Sequence, residues 1–117
     1  PYTVPFSGEV SALHAGEVAS AFIKAVSKER DGAHVFDLNG RRTTVAEWLD
    51  IVRALAPRAQ LDVEGDPLPF PADLSDEPIR DFLGDYGPVS LEDGIEETYD
   101  AFRRLLAAGA LSPRAIA

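Results

Sequence analysis

Three stretches of this 117-residue chain repeat apolar residues at helical spacing, and the segments between them are too short to cover them all. Val18, Phe22 and Val26, with Ala19 and Ile23 beside them, mark a first helix from about Ala15 to Glu29. Val45, Trp48, Leu49, Val52 and Leu55 mark a second, and Leu91, Ile95, Tyr99, Phe102 and Leu106 a third. A helix with one apolar stripe has to bury it against another layer. The candidates for that layer are Tyr2–Phe6, "EVSAL" after Gly8, "AHVFDL" from Ala33 to Leu38, and "AQLDVEG", all short strand-like runs between turn residues. The expected fold class is α/β, with three to four helices and a few short strands in a single domain spanning 1–117.

Local signals sharpen the boundaries. Asp31-Gly32 ends the first helix with turn chemistry. Thr44 opens the second, with Glu47 three residues on in the pattern that satisfies two free amides reciprocally, and Pro57 stops it. Asp76 to Leu83 reads as a short helix closed by Gly84. Ser90 caps the last helix with Asp93 in support, Gly109 ends it, and the tail "ALSPRAIA" is expected to fray. In "DPLPFP" three alternating prolines cannot donate ladder hydrogen bonds, which makes the segment an extended loop. Nothing basic or disordered flanks it, which argues against a ligand for a proline-reading module.

Composition excludes several classes of function. Net charge is −9, and between Asp62 and Asp100 thirteen Asp and Glu face one basic residue, Arg80. Phosphate backbones and anionic lipids need Lys and Arg, so neither nucleic acid nor a membrane surface is an expected partner. No run of about 18 apolar residues is present to span a bilayer. The start "PYTVPFSGEV" is not built like a signal peptide. Cysteine is absent, which removes disulfides, thiol nucleophiles and thiolate metal sites and fits a cytoplasmic location. Methionine is absent as well, and a chain beginning at Pro1 reads as a piece of something longer.

Catalytic signatures are missing too. The two histidines, His14 and His34, have neither the spacing of a zinc site nor a recognisable triad around them. His34 opens the expected strand at Ala33–Leu38 without a partner pattern. "DLNGRRTT" carries one glycine, short of a phosphate-cradling loop. Carboxylates abound, and the sequence singles out no pair of them.

The order of segments resembles the NAD-dependent epimerase/dehydratase family, the extended short-chain dehydrogenases. "HAGEVASAFIKAV" is similar to that family's His-x-x-Asp-x-Ala-x-Ala helix start. "GAHVFDLNGRRTTVAEWLDIV" is similar to the strand, glycine turn and capped helix that follow. "IRDFLGDYGPVSLEDGIEETYDAFRRL" resembles its C-terminal Leu-Gly … Pro-x-Ser-Leu-Glu-x-Gly-Ile ending. The resemblance runs from about Tyr2 to Leu106. It implies the substrate-side, C-terminal part of such an enzyme, with the Rossmann domain absent. In the family NAD or NADP binds that N-terminal domain through a glycine loop, and a Tyr-x-x-x-Lys there moves the proton. Tyr2, Tyr86 and Tyr99 are followed four residues later by Phe6, Ser90 and Arg103, so this chain is expected to hold neither cofactor nor catalytic residue.

The resemblance further implies substrate contacts from loops facing the missing domain: Phe6, Ser7 and Ser11 near the first strand, His14 at the helix head, and Leu68 and Phe70 in the proline segment. His14 is expected to hold its loop rather than to catalyse. Glu17 stands where the family has Asp, in a first helical turn that favours negative charge. Members acting on nucleotide-diphosphate sugars often carry arginine where this chain has Val10 and Val63. A diphosphate wants bidentate guanidinium contacts, so a smaller carbonyl or sugar-like substrate is implied. Expected partners are the missing Rossmann domain and, without it, a second copy of the chain. The alternative is a free-standing, non-catalytic binding or adaptor module with the same fold.

Overall fold

Each long helix starts at a residue that can accept from free amides. The computed structural model describes residues 1–29 and 31–112. Helix α1, Ala15–Val26, begins at His14, whose Nδ1 accepts from the Gly16 N–H at 3.2 Å while the Glu17 carboxylate accepts from the His14 N–H at 3.1 Å. Helix α2, Val45–Leu55, begins at Thr44. There Oγ1 accepts from the Glu47 N–H at 3.1 Å, and the Glu47 carboxylate accepts from the Thr44 N–H and the buried Thr43 hydroxyl, both at 2.9 Å. Short α3, Glu77–Leu83, ends at Gly84, whose φ of 76° is the left-handed geometry that glycine adopts freely. The last helix, α4, spans Leu91–Ala107 with Ser90 as cap. Of the expected frayed tail, Pro113 onward lies outside the described residues.

The strands form two separate pairs. Strand β1, Tyr2–Val4, runs parallel to β4, Leu61–Val63, with Val4 opposite Val63. The expected continuation to Phe6 stops short: one bridge remains between Ser7 and Pro67, and Pro67 has no N–H to extend a ladder. Strand β2, Glu9–Ala12, pairs antiparallel with β3, Arg41–Thr44. This corrects the expectation for "AHVFDL". Ala33–Leu38 alternates outward Val35, 95% exposed, with half-buried Phe36 and Leu38, as a strand would, yet it belongs to no sheet. The edge of β2 goes instead to β3, because Gly40 lets the chain come close: a Cβ there would lie 1.9 Å from the Ala12 carbonyl oxygen. His34, expected to open the strand, packs its ring against Phe82 at 4.8 Å between centroids.

Packing falls into two blocks. Ala21 of α1, Ile79 and Leu83 of α3, and Tyr86 form a buried cluster, with Phe36, Leu38 and Phe82 around it. Helix α2 lies against α4, β3 and β4; Val45 and Leu49 are buried on α2 and Ile95 on α4. Arg53 donates to the Leu61 carbonyl at 2.6 Å and so ties α2 to β4. One buried carboxylate joins the blocks. Glu17, 4% exposed, accepts from His14 N–H through Oε2 and from Val89 N–H, 72 residues away, through Oε1 at 3.0 Å. The Val89 carbonyl accepts from Arg41 at 3.3 Å, so the peptide leading into α4 is held on both sides. Lys24 donates to the Asp85 carbonyl and fastens the far end of α1 to the loop after α3.

The apolar stripe of α1 faces water: Phe22 is 66% and Val26 84% exposed, and the buried positions are Glu17 and Ala21 instead. On α4 only the first half packs, through Leu91, Ile95 and Tyr99, while Phe102, Leu105 and Leu106 are exposed. The radius of gyration is 17.0 Å, against about 13 Å for a compact chain of this length. Among the described residues no helix is long and apolar enough to cross a membrane.

Glu17→Ala removes two charge-assisted hydrogen bonds and leaves two inward-facing amides without their acceptor. It should lower unfolding free energy by about 3 kcal/mol, with Glu17→Gln recovering part of the loss. Urea denaturation reads this, and an unchanged midpoint in Glu17→Ala would refute the linking role.

Asp76 sets a pH dependence. Its Oδ2 accepts from the Arg80 guanidinium at 2.6 Å and lies 3.4 Å from the Tyr86 hydroxyl. The hydrogen bond from Arg80 holds the Asp76 carboxyl below the usual aspartate range, against the opposing effect of burial. Burial pushes the Tyr86 hydroxyl up. The Asp76 contribution is therefore complete above its unfolded value of about 3.9 and is lost as pH falls through the lower folded value. The Tyr86 contribution is complete below about pH 10 and is lost as pH rises through the raised one. Stability followed by urea midpoint should fall off on both sides, with a shallower acid limb in Asp76→Asn and a shallower alkaline limb in Tyr86→Phe.

Candidate functional site

Strand β2, helix α2 and the proline segment border an open cavity of about 510 Å³. Phe6, Ser11, Leu68 and Phe70 line it, although Phe6 and Phe70 are far apart in the chain. The facing wall is the inner side of α2: Val45, Trp48, Leu49 and Val52. The local sequence explains why these elements meet. Prolines at 67, 69 and 71 keep the segment extended, and it leaves the β4 side at the Ser7–Pro67 bridge to run along β2 and α2. Ala72 is buried at its end.

Two lining residues carry an ionisable or hydroxyl group, and both are engaged. The Glu9 carboxylate takes a paired contact from Arg42, at 3.1 and 2.7 Å, and that contact raises the Arg42 pKa above its usual value. The Ser11 hydroxyl donates to Asn39 Oδ1 and accepts from the Gly40 N–H at 2.9 Å, while Asn39 donates to the Leu74 carbonyl at 2.6 Å. Ser11 thus fixes the turn that brings β3 onto β2. Ser7 is not among the lining residues; its N–H donates to the Asp66 carbonyl at 3.2 Å beside the bridge to Pro67.

His14 belongs to a second, smaller cavity of about 220 Å³ between the head of α1, α2 and α4. Arg41, Thr98 and Tyr99 line it as well. The imidazole lies on the helix surface where Gly94 has no side chain: a Cβ there would be 3.4 Å from the ring. Because Nδ1 accepts the capping bond, the ring proton is on Nε2, which is 3.6 Å from a Glu97 carboxylate oxygen. Trp48 and Val52 line both cavities, so this stretch of α2 is the partition between them.

In the larger cavity the Ser11 hydroxyl and the Glu9 carboxylate are bonded to Asn39 and Arg42. Among the described residues no group of three His, Cys, Asp or Glu could hold a metal ion. Sequence reasoning brought out one side of the larger cavity and missed Val45, Trp48, Leu49 and Val52 opposite. The signal was there: the α2 stripe of five apolar residues is broader than a single packing contact needs, and Trp48 sits on its edge. No protein-family model, no curated protein and no solved structure matches the chain. Fold and site together define a small α/β domain with an apolar cavity between one helix and a proline-rich segment.

If His14 acts as a cap, His14→Ala should cost about 1 kcal/mol of stability and His14→Asn should restore most of it, since asparagine is a good N-cap acceptor. Guanidinium denaturation of the three proteins is the check; an Asn variant no better than the Ala variant would refute the capping role.

Proposed function

We propose that the chain is the substrate-side, C-terminal part of an NAD(P)-dependent sugar epimerase/dehydratase or reductase of the extended short-chain dehydrogenase type, working in the cytoplasm. The missing Rossmann domain supplies NAD or NADP and the Tyr-x-x-x-Lys pair, and this part supplies the walls that receive a small carbonyl or sugar-like substrate. The observation that carries this reading is the cavity: Phe6, Ser11, Leu68 and Phe70, four residues that the family resemblance assigns to the substrate side, line one space of ligand size. Val10 lines that cavity as well and Val63 lies in β4, so neither position offers the guanidinium that a nucleotide diphosphate would use.

The exposed surface supports a missing neighbour. The chain exposes 8524 Å², against roughly 6,200 Å² for a folded monomer of its size. Phe22, Ile23 and Val26 on α1 and Phe102, Leu105 and Leu106 on α4 contribute large apolar side chains to the excess. Isolated proteins rarely leave extended apolar faces in water, so in the absence of the Rossmann domain a second copy covers them.

A free-standing binding module is the second reading. It is favoured by one feature: two facing walls of the larger cavity, β2 with the proline segment and α2, both lie within the described residues. Two measurements made together separate the readings. Sequencing the genomic DNA upstream of the first codon, in frame, should reveal a glycine-rich phosphate loop and a Tyr-x-x-x-Lys. The isolated chain should sediment as an associated species at low micromolar concentration. A stop codon immediately upstream together with a clean monomer would overturn the enzyme-part reading in favour of the module.

A further inference from the structure

The chemistry of the larger cavity narrows its ligand further than the fold does. Three aromatic rings, Phe6, Trp48 and Phe70, contribute to the lining, with Val10, Leu49 and Leu68 among the aliphatic side chains. Neither lysine nor arginine lines it, and the chain carries a net charge of −9. An anionic group brought into this space would lose its water and meet no cation. Side-chain donors are equally scarce. The Ser11 hydroxyl spends its proton on Asn39, and the Glu9 carboxylate, itself an acceptor, is held by Arg42. Among the lining side chains the remaining donor is the indole N–H of Trp48, a residue that borders both cavities. A sugar or polyol presents several hydroxyls, each needing a partner once desolvated, and the side chains of this lining offer few.

We propose that the cavity takes an uncharged aromatic ketone or aldehyde: a flat apolar ring held among Phe6, Trp48 and Phe70, with one carbonyl oxygen as its principal polar atom. Aromatic rings stack on aromatic walls in offset or edge-on geometry, and one carbonyl acceptor fits a lining with one remaining side-chain donor. The volume of about 510 Å³ is within the range of drug-sized ligand sites, roughly 300–1,000 Å³. The assignment rests on the reading that this cavity is the substrate-facing surface, and it replaces the sugar-like half of that reading's substrate class with the carbonyl half.

The chain has a single tryptophan, so its amide nitrogen spectrum contains one indole N–H signal, from a residue in the wall of the cavity. The ¹⁵N-labelled full chain is titrated separately with 2-acetylnaphthalene, D-glucuronate and UDP-glucose. The ketone should move the Trp48 indole signal saturably, with a Kd below about 1 mM. Phe70→Ala should weaken that binding about tenfold, the factor expected for one lost aromatic contact. Phe70 is exposed and lines only the larger cavity of the two, so the variant also separates binding here from binding beside His14. Glucuronate and UDP-glucose should leave the signal in place. Saturable movement with either of them, no movement with the ketone, or ketone binding indifferent to Phe70→Ala overturns the assignment. Glucuronate binding in place of the ketone does so while leaving the substrate-side reading standing, because the upstream coding sequence decides that reading independently.

Discussion

A single buried carboxylate organises the molecule. Glu17 accepts from the amide at the head of its own helix and from the Val89 amide, and in doing so makes the start of α1 and the approach to α4 one unit. Burying a carboxylate is unfavourable unless its oxygens are occupied by donors, and here each oxygen has one. The consequence spreads through neighbours. With Val89 fixed on its N–H side by Glu17 and on its carbonyl side by Arg41, β3, α1 and α4 share one junction. The His14 ring and the Gly94 backbone meet beside it, where a Cβ at 94 would just touch the imidazole.

Much of the fold could be read from the sequence because its signals are local. Thr44 with Glu47, Ser90 with Asp93, Gly84 and Gly109 act through bonds or backbone angles within a few residues, and the helices begin and end by them. What could not be read depends on pairing at a distance. Ala33–Leu38 has the composition and alternation of a strand, but a strand exists only with a partner, and the partner edge went to Arg41–Thr44, a run with four polar side chains and no strand-like apolar pattern. The deciding residue is Gly40, whose missing side chain allows a close approach to Ala12 that no periodicity reveals. In the same way Glu17 reads as an ordinary first-turn acid until Val89 is seen beside it.

The candidate site was legible by halves. Phe6, Ser11, Leu68 and Phe70 stand in segments that a family resemblance marks as substrate-facing, and they share one cavity. The other wall comes from α2, whose stripe looks like plain core-facing helix. Trp48 has two sides in use there, one to each cavity, and a hydrophobic pattern reports only that a side chain is apolar, not how many spaces it borders. Ser11 shows the converse: a polar residue in the right place whose hydroxyl is already committed to the Asn39-Gly40 turn.

Helix α4 is held at one end. Its 17 residues make a rod of roughly 26 Å, gripped at Val89, Ser90 and Ile95, with little packed against it beyond Tyr99 and Ala101. Mechanically that is a cantilever. A tilt of about 10° at the clamped end sweeps the far end through some 4–5 Å on a rod of that length, so the Glu17–Val89 bond acts as the hinge pin that decides where Phe102, Leu105 and Leu106 are presented.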